Sequence, residues 1–224
     1  VPGPPTNITL SFEPKFVHVR GVGKNSTVTI TADVRDAHGN PVADGTEVYF
    51  DIYASPSGSG DIYQDSLTSY GPVPTVEGKA QVAFISGSRA GTVRIEAWTS
   101  GHWPVALTQF QIFSGPVFIE DIHDMSTSHL SIEARPKNIV GKLGEMVDII
   151  AVLSDRYHNP VPEGTAVYFT ATAGLVNPAK AYTDANGIAY ATFIVAAPFP
   201  TAERYHMLKD PNTGEPIPGD PPDF

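Results

Sequence analysis

The chain has 224 residues, 41% hydrophobic and 10% aromatic, which is enough apolar material for packed cores and too much for a disordered polypeptide. Its formal net charge of −10 excludes the basic face that nucleic acid requires, and the lack of cysteine excludes disulfides, thiolate metal sites and a thiol nucleophile. No run approaches the ~18 apolar residues of a membrane span, while 20 Gly and 21 Pro favour turns and short strands over helices.

Beginning at Val1, without Met or a signal peptide, the sequence reads as a processed protein or an excised fragment. Ile8, Leu10 and Phe12 alternate with polar neighbours, the period of a half-buried strand, and the same alternation makes them a candidate donor strand for a neighbouring molecule. Asn7-Ile8-Thr9 and Asn25-Ser26-Thr27 are sequons, meaningful only in a source that glycosylates secreted asparagines. Val28, Ile30, Ala32 and Val34 alternate next, and Val48, Phe50 and Ile52 follow a turn rich in Asn, Pro and Gly. A Gly/Ser stretch at 55–60 then leads into Asp61, Tyr63, Asp65 and Tyr70. It predicts a surface loop or added hairpin outside the core, whose removal costs under about 1 kcal/mol. Tyr63 and Tyr70 are candidate partner contacts there, because tyrosine offers contact area at low entropic cost. Ala80, Val82 and Phe84, then residues 92–98 and 107–113, complete a first set of strands. Trp98 and Trp103 with Tyr53 and Tyr63 are candidates for a sugar platform, a role that competes with ordinary core or rim packing.

The pattern then returns. Asp155 to Phe169 repeats Asp36 to Phe50 at nine of fifteen positions, around the shared Asn-Pro-Val and Gly-Thr-x-Val-Tyr-Phe. Val147, Ile149, Ala151 and Leu153 answer the strand before the turn, and Ala189, Ala191 and Phe193 answer Ala80, Val82 and Phe84. Leu130-Ser131-Ile132-Glu133 answers Leu10-Ser11-Phe12-Glu13. Short strands at this spacing, broken by turns, predict an all-β fold of two tandem immunoglobulin-like sandwiches. Val28, Ile30, Phe50, Val82 and Phe84 should be buried in the first, with Val147, Ile149, Phe169 and Phe193 buried in the second.

The residues D-x-x-x-N-P-V-x-x-G-T-x-V-x-F, followed by Thr183-Asp184-Ala185-Asn186-Gly187-Ile188-Ala189, resemble the bacterial Ig-like group 1 domains of the invasin and intimin adhesins. The second element is weaker in the first repeat, as Thr75-Val76-Glu77-Gly78-Lys79-Ala80. The resemblance covers most of residues 7–113 and 128–195. It implies a surface-exposed sandwich used as a stalk, spacer or adhesive tip, with no shared active-site residues.

Domain boundaries follow as 1–114 for the first domain, 115–127 for a linker, 128–208 for the second domain and 209–224 for a proline-rich tail. The second domain looks incomplete, because nothing after Phe193 resembles the last strand of the first copy. A missing strand removes about three inward side chains at roughly 1.5–3 kcal/mol each, a sum that rivals the stability of a whole domain. Pro211, Pro216, Pro218, Pro221 and Pro222 make the tail a poor ladder strand. The linker concentrates Glu120, Asp121, His123 and Asp124, weak candidate ligands for a calcium ion, although their spacing matches no defined metal loop. No nucleophile elbow, phosphate-binding glycine loop or H-E-x-x-H motif is present, and the seven histidines are scattered.

The expectation is a non-catalytic structural module of a cell-surface or extracellular assembly such as a fibre, pilus-like filament, stalk or adhesin shaft. Its partners would be copies of itself, other surface proteins, or a host or glycan surface. The competing expectation is a carbohydrate-binding or accessory module of a larger secreted enzyme.

Overall fold

Valine, isoleucine, threonine and phenylalanine at every second position make strands, because branched and aromatic side chains pack well on a pleated half-buried surface. A computed structural model describes residues 1–64, 67–68, 71–119 and 128–197, and all of its regular elements are strands. By internal contacts the chain forms two units, Val1–Pro116 with Asp155–Asn159, and Val117–Ser154 with Pro160–Phe224. No helix among the described residues is long and apolar enough to cross a membrane.

The first unit is a sandwich of two five-stranded sheets. One runs β1 (Asn7–Glu13), β3 (Thr27–Arg35), β8 (Lys79–Ser86), β5 (Gly60–Gln64) and β6 (Leu67–Thr68). The other runs β2 (Val17–His18), β10 (Val105–Phe113), β9 (Gly91–Thr99), β4 (Glu47–Ala54) and β7 (Val73–Pro74). Neighbours are antiparallel except β2, which lies parallel to β10 with Val17 opposite Ile112. The alternating residues meet between the sheets: Val28, Ile30, Val34, Phe84, Val93, Ile95 and Ile112 are fully buried. Phe110 closes the layer, edge-on to Phe84 at 5.1 Å and 5.5 Å from Phe12. All five residues expected in this core are buried.

The second unit repeats half of that plan. Its four-stranded sheet runs β11 (Leu130–Arg135), β12 (Met146–Leu153), β16 (Ile188–Ile194) and β14 (Leu175–Asn177). These are the counterparts of β1, β3, β8 and β5. The facing pair β13 (Ala166–Tyr168) and β15 (Lys180–Tyr182) answers β4 and β7. Among the described residues nothing answers β9 or β10. A smaller core of Ala151, Leu153, Val161, Val167, Phe169, Ala189 and Ala191 results.

Three expectations change. Ile149 and Phe193 are only half-buried, although their counterparts Ile30 and Phe84 are sealed. The side chains that seal them in the first unit come partly from β9 and β10. The segment around Asp61 is not outside the core: β5 pairs with β8, placing Ile62 opposite Phe84, and Ile62 is 4% exposed. The ten additional residues instead flank β5. Phe50 to Gly60 is ten steps against five from Phe169 to Gly174, and Gly60 to Gly78 is eighteen against thirteen from Gly174 to Gly187. Finally, Leu10 pairs with Ala32 and Ile132 with Ala151, so Leu10 corresponds to Ile132 and Phe12 to Ala134. The match of Leu10 to Leu130 was two residues out, a slip that keeps the buried face and so leaves alternation intact.

Candidate functional site

The repeated turn holds each sandwich together in the same way. Thr75 and Thr183 are buried, and each hydroxyl donates to a backbone carbonyl, of Ala43 and Pro162 respectively, at 3.0 Å. Each hydroxyl also accepts the amide N–H of the Thr in the Gly-Thr pair, from Thr46 at 3.2 Å and from Thr165 at 3.0 Å. Gly45 and Gly164 take φ of +84° and +82°, a conformation that glycine adopts without a Cβ penalty. The block Asn-Pro-Val…Gly-Thr is therefore architecture. Thr75 and Thr183 head the second repeated element in the sequence, but their bond to the Gly-Thr pair is not legible there because it spans 29 residues in one copy and 18 in the other.

In the second unit, among the described residues, β13 has a neighbour on one side alone. β4 pairs on one side with β7 and on the other with β9, whereas β13 pairs only with β15 among the described residues. Beside this edge lies a cleft of about 280 Å³ lined by Ile132, Ile149, Tyr168, Phe169, Val176 and Phe193 among others. Ile132 is 63% exposed. On the outer face, the Lys180 ammonium stands 5.3 Å from the Tyr168 ring and 5.1 Å from the Tyr182 ring. Hydrogen bonding to Tyr182, then to Tyr168, raises the Lys180 pKa. This aromatic–cation face went unnoticed in the sequence, since its three members lie on two strands of only three residues each.

The residues singled out beforehand are dispersed. Ile8, Leu10 and Phe12 pair in register with Val34, Ala32 and Ile30, and Ile8 is buried. As described they belong to their own sandwich, and to serve as a donor strand they would have to leave it. Tyr63 lies half-buried on β5, opposite Ala83. Tyr70, Glu120, Asp121, His123 and Asp124 lie outside the described residues; among the described ones, no group of three His, Asp or Glu side chains could hold a metal ion. The four candidate aromatics do not form one platform. Trp98 stacks on Tyr49 at 5.8 Å and touches His102, whereas Trp103 is 70% exposed. Among the described residues neither tryptophan ring stacks on Tyr53 or Tyr63.

No protein-family model matches the chain, and no curated protein matches it. Solved structures do. FdeC, an adhesin of Escherichia coli, superposes with a TM-score of 0.52 at 17% identity, over 85% of this chain and 56% of that one. InvD of Yersinia pseudotuberculosis superposes with a TM-score of 0.54 at 14% identity, over 84% of this chain and 49% of that one. The chain thus spans about half the length of these structures. At such identities the likeness is one of fold, and that fold is the tandem Ig-like β-sandwich.

Proposed function

We propose that this chain is a non-catalytic structural module of a cell-surface or extracellular assembly, a stalk or adhesin shaft, and that its second sandwich is completed by a strand taken up beside β13. The observation that carries this reading is the side of β13 that no described residue pairs with, next to the apolar cleft formed with Ile149 and Phe193. An extended segment laid on such an edge gains a backbone ladder, and its alternate side chains fill the cleft. Natural proteins cover edges of this kind, because an open one invites uncontrolled pairing. The fold shared with the adhesin FdeC supports the surface setting, as does the net charge of −10 for a highly soluble spacer.

A peptide copying residues 91–99, the first domain's own strand at this place, tests the uptake by calorimetric titration against the full chain. Saturable binding that Ile149→Asp abolishes is the expected result. Binding only to a chain ending at residue 197 would assign the strand to residues 198–224 of the same molecule. No binding to either form removes strand uptake and leaves a plain spacer. Exposed Trp103 favours a second reading, carbohydrate binding. It requires glycan-array signals that vanish with Trp103→Ala.

A further inference from the structure

The first compact unit contains both copies of the Asp-x-x-x-Asn turn, Asp36 to Asn40 and Asp155–Asn159. They are built alike. Asp36 accepts the N–H groups of His38 and Asn40 on Oδ1, each at 2.9 Å, and that of Gly3 on Oδ2 at 3.0 Å. Asp155 accepts Tyr157 and Asn159 on Oδ1 at 2.8 and 3.0 Å, and Gly115 on Oδ2 at 3.0 Å. The fourth residue is left-handed in both, Gly39 at φ +80° and His158 at φ +62°.

The two turns differ in what their asparagine side chains reach. Asn159 Nδ2 donates to the Ser88 carbonyl at 2.8 Å, and its Oδ1 accepts the Ala90 N–H at 3.1 Å. One planar amide thus reads a carbonyl and an N–H two residues apart on the loop between β8 and β9, and Asn159 is 4% exposed. Asn40 is exposed. Its Nδ2 reaches only Asp36, at 3.3 Å, and its Oδ1 accepts no hydrogen bond among the described residues. It stands on the wall of an open depression of about 910 Å³, which Val1, Pro2, Pro41 and Ala43 also line.

We propose that Asn40 is a docking residue for the β8–β9 loop of a further Ig-like domain of this same repeat type, joined through Gly3-Pro4. The two glycines held by the carboxylates support the covalent placement. Gly115-Pro116 comes two residues after β10 ends at Phe113, where a finished sandwich passes the chain onward. Gly3-Pro4 repeats that dipeptide on the equivalent carboxylate. The proposal does not depend on how the second domain is completed.

The absence of cysteine in the sequence makes a clean test available. Residues 1–112 are fused ahead of Val1 of the full chain, so that Gly3 stands as far beyond the added Ile112 as Gly115 stands beyond the native one. A single His38→Cys substitution in the inner copy then reports covering of the turn. Thiol labelling should slow about tenfold relative to the same substitution in the 224-residue chain, as two backbone hydrogen bonds warrant. Inner Asn40→Ala should restore the fast rate, and so should Asn40→Asp, which keeps the acceptor and loses the donor. Equal labelling with and without the added domain would overturn the proposal. So would slowing that ignores both Asn40 variants, or equal slowing by an unrelated module of the same length. Slowing that rises with concentration in the unfused chain would assign the turn to a separate molecule and overturn the covalent placement.

Discussion

Asp36 has exchanged water for amide donors. The Gly3 N–H does most to hold its carboxyl below the ordinary value of 3.8, at about 2, with Asn40 and His38 adding to the effect and burial opposing it. The sign of the stability effect follows. A carboxyl depressed in the folded state contributes stability that is complete above its unfolded value and is lost as pH falls through its folded value. The first domain should therefore lose stability between about pH 4 and pH 2. Asp36→Asn should flatten that loss in a pH series of thermal midpoints, and an unchanged profile would place the acid sensitivity elsewhere. The carboxylate and its turn could be read from the Asp-x-x-x-Asn-Pro spacing. Its hold on Gly3, 33 residues earlier, could not, because nothing local to Gly3 marks it.

Among the elements, alternation identified β3, β4, β8, β12 and β16, where apolar residues recur at successive inward positions. It passed over β5, whose Ser/Gly-rich approach resembles a loop and whose only strongly apolar inward residue is Ile62. That single residue decides the energetics. Ile62→Ala should destabilise the first domain by about 2–4 kcal/mol, the usual cost of emptying a sealed aliphatic site. Val176→Ala on the half-buried counterpart β14 should cost roughly 1 kcal/mol in the second. Urea unfolding of each variant makes the comparison. A loss below about 1 kcal/mol for Ile62→Ala would return the segment to the surface. The burial of Ile149 and Phe193 was misjudged for a related reason: periodicity tells which face of a strand points inward, not whether a second sheet is there to cover it.

Across the whole molecule, one sequence pattern gives two unequal sandwiches. The first closes with β9 and β10. The second, within its described residues, stops at β16, so its shared core is reduced from valines, isoleucines and phenylalanines to one largely of alanine and valine. The repeat was legible from nine identities in fifteen positions, because one copy can be compared with the other; the expected lack of a last strand falls on residues 198–224, outside those described. The side of β13 left unpaired among the described residues, and the cleft beside it, emerged only from strand pairing.

The parallel contact of β2 with β10 bears on what happens when the chain is pulled. Val17 and His18 near the beginning of the first domain lie beside Ile112 and Phe113 at its end, and Val19 N–H is bonded to the Phe113 carbonyl at 2.9 Å. Tension applied at the two ends of that domain would slide these strands past each other and load their bonds together, in shear. Antiparallel neighbours peeled from one end would instead break one bond at a time. The described residues of the second domain contain no parallel pair. Single-molecule stretching should therefore show the first domain yielding last, at the higher force. Val19→Pro, which removes the bonded N–H, should lower that force through faster forced unfolding. If the force stays the same, the mechanical resistance lies outside this short clamp.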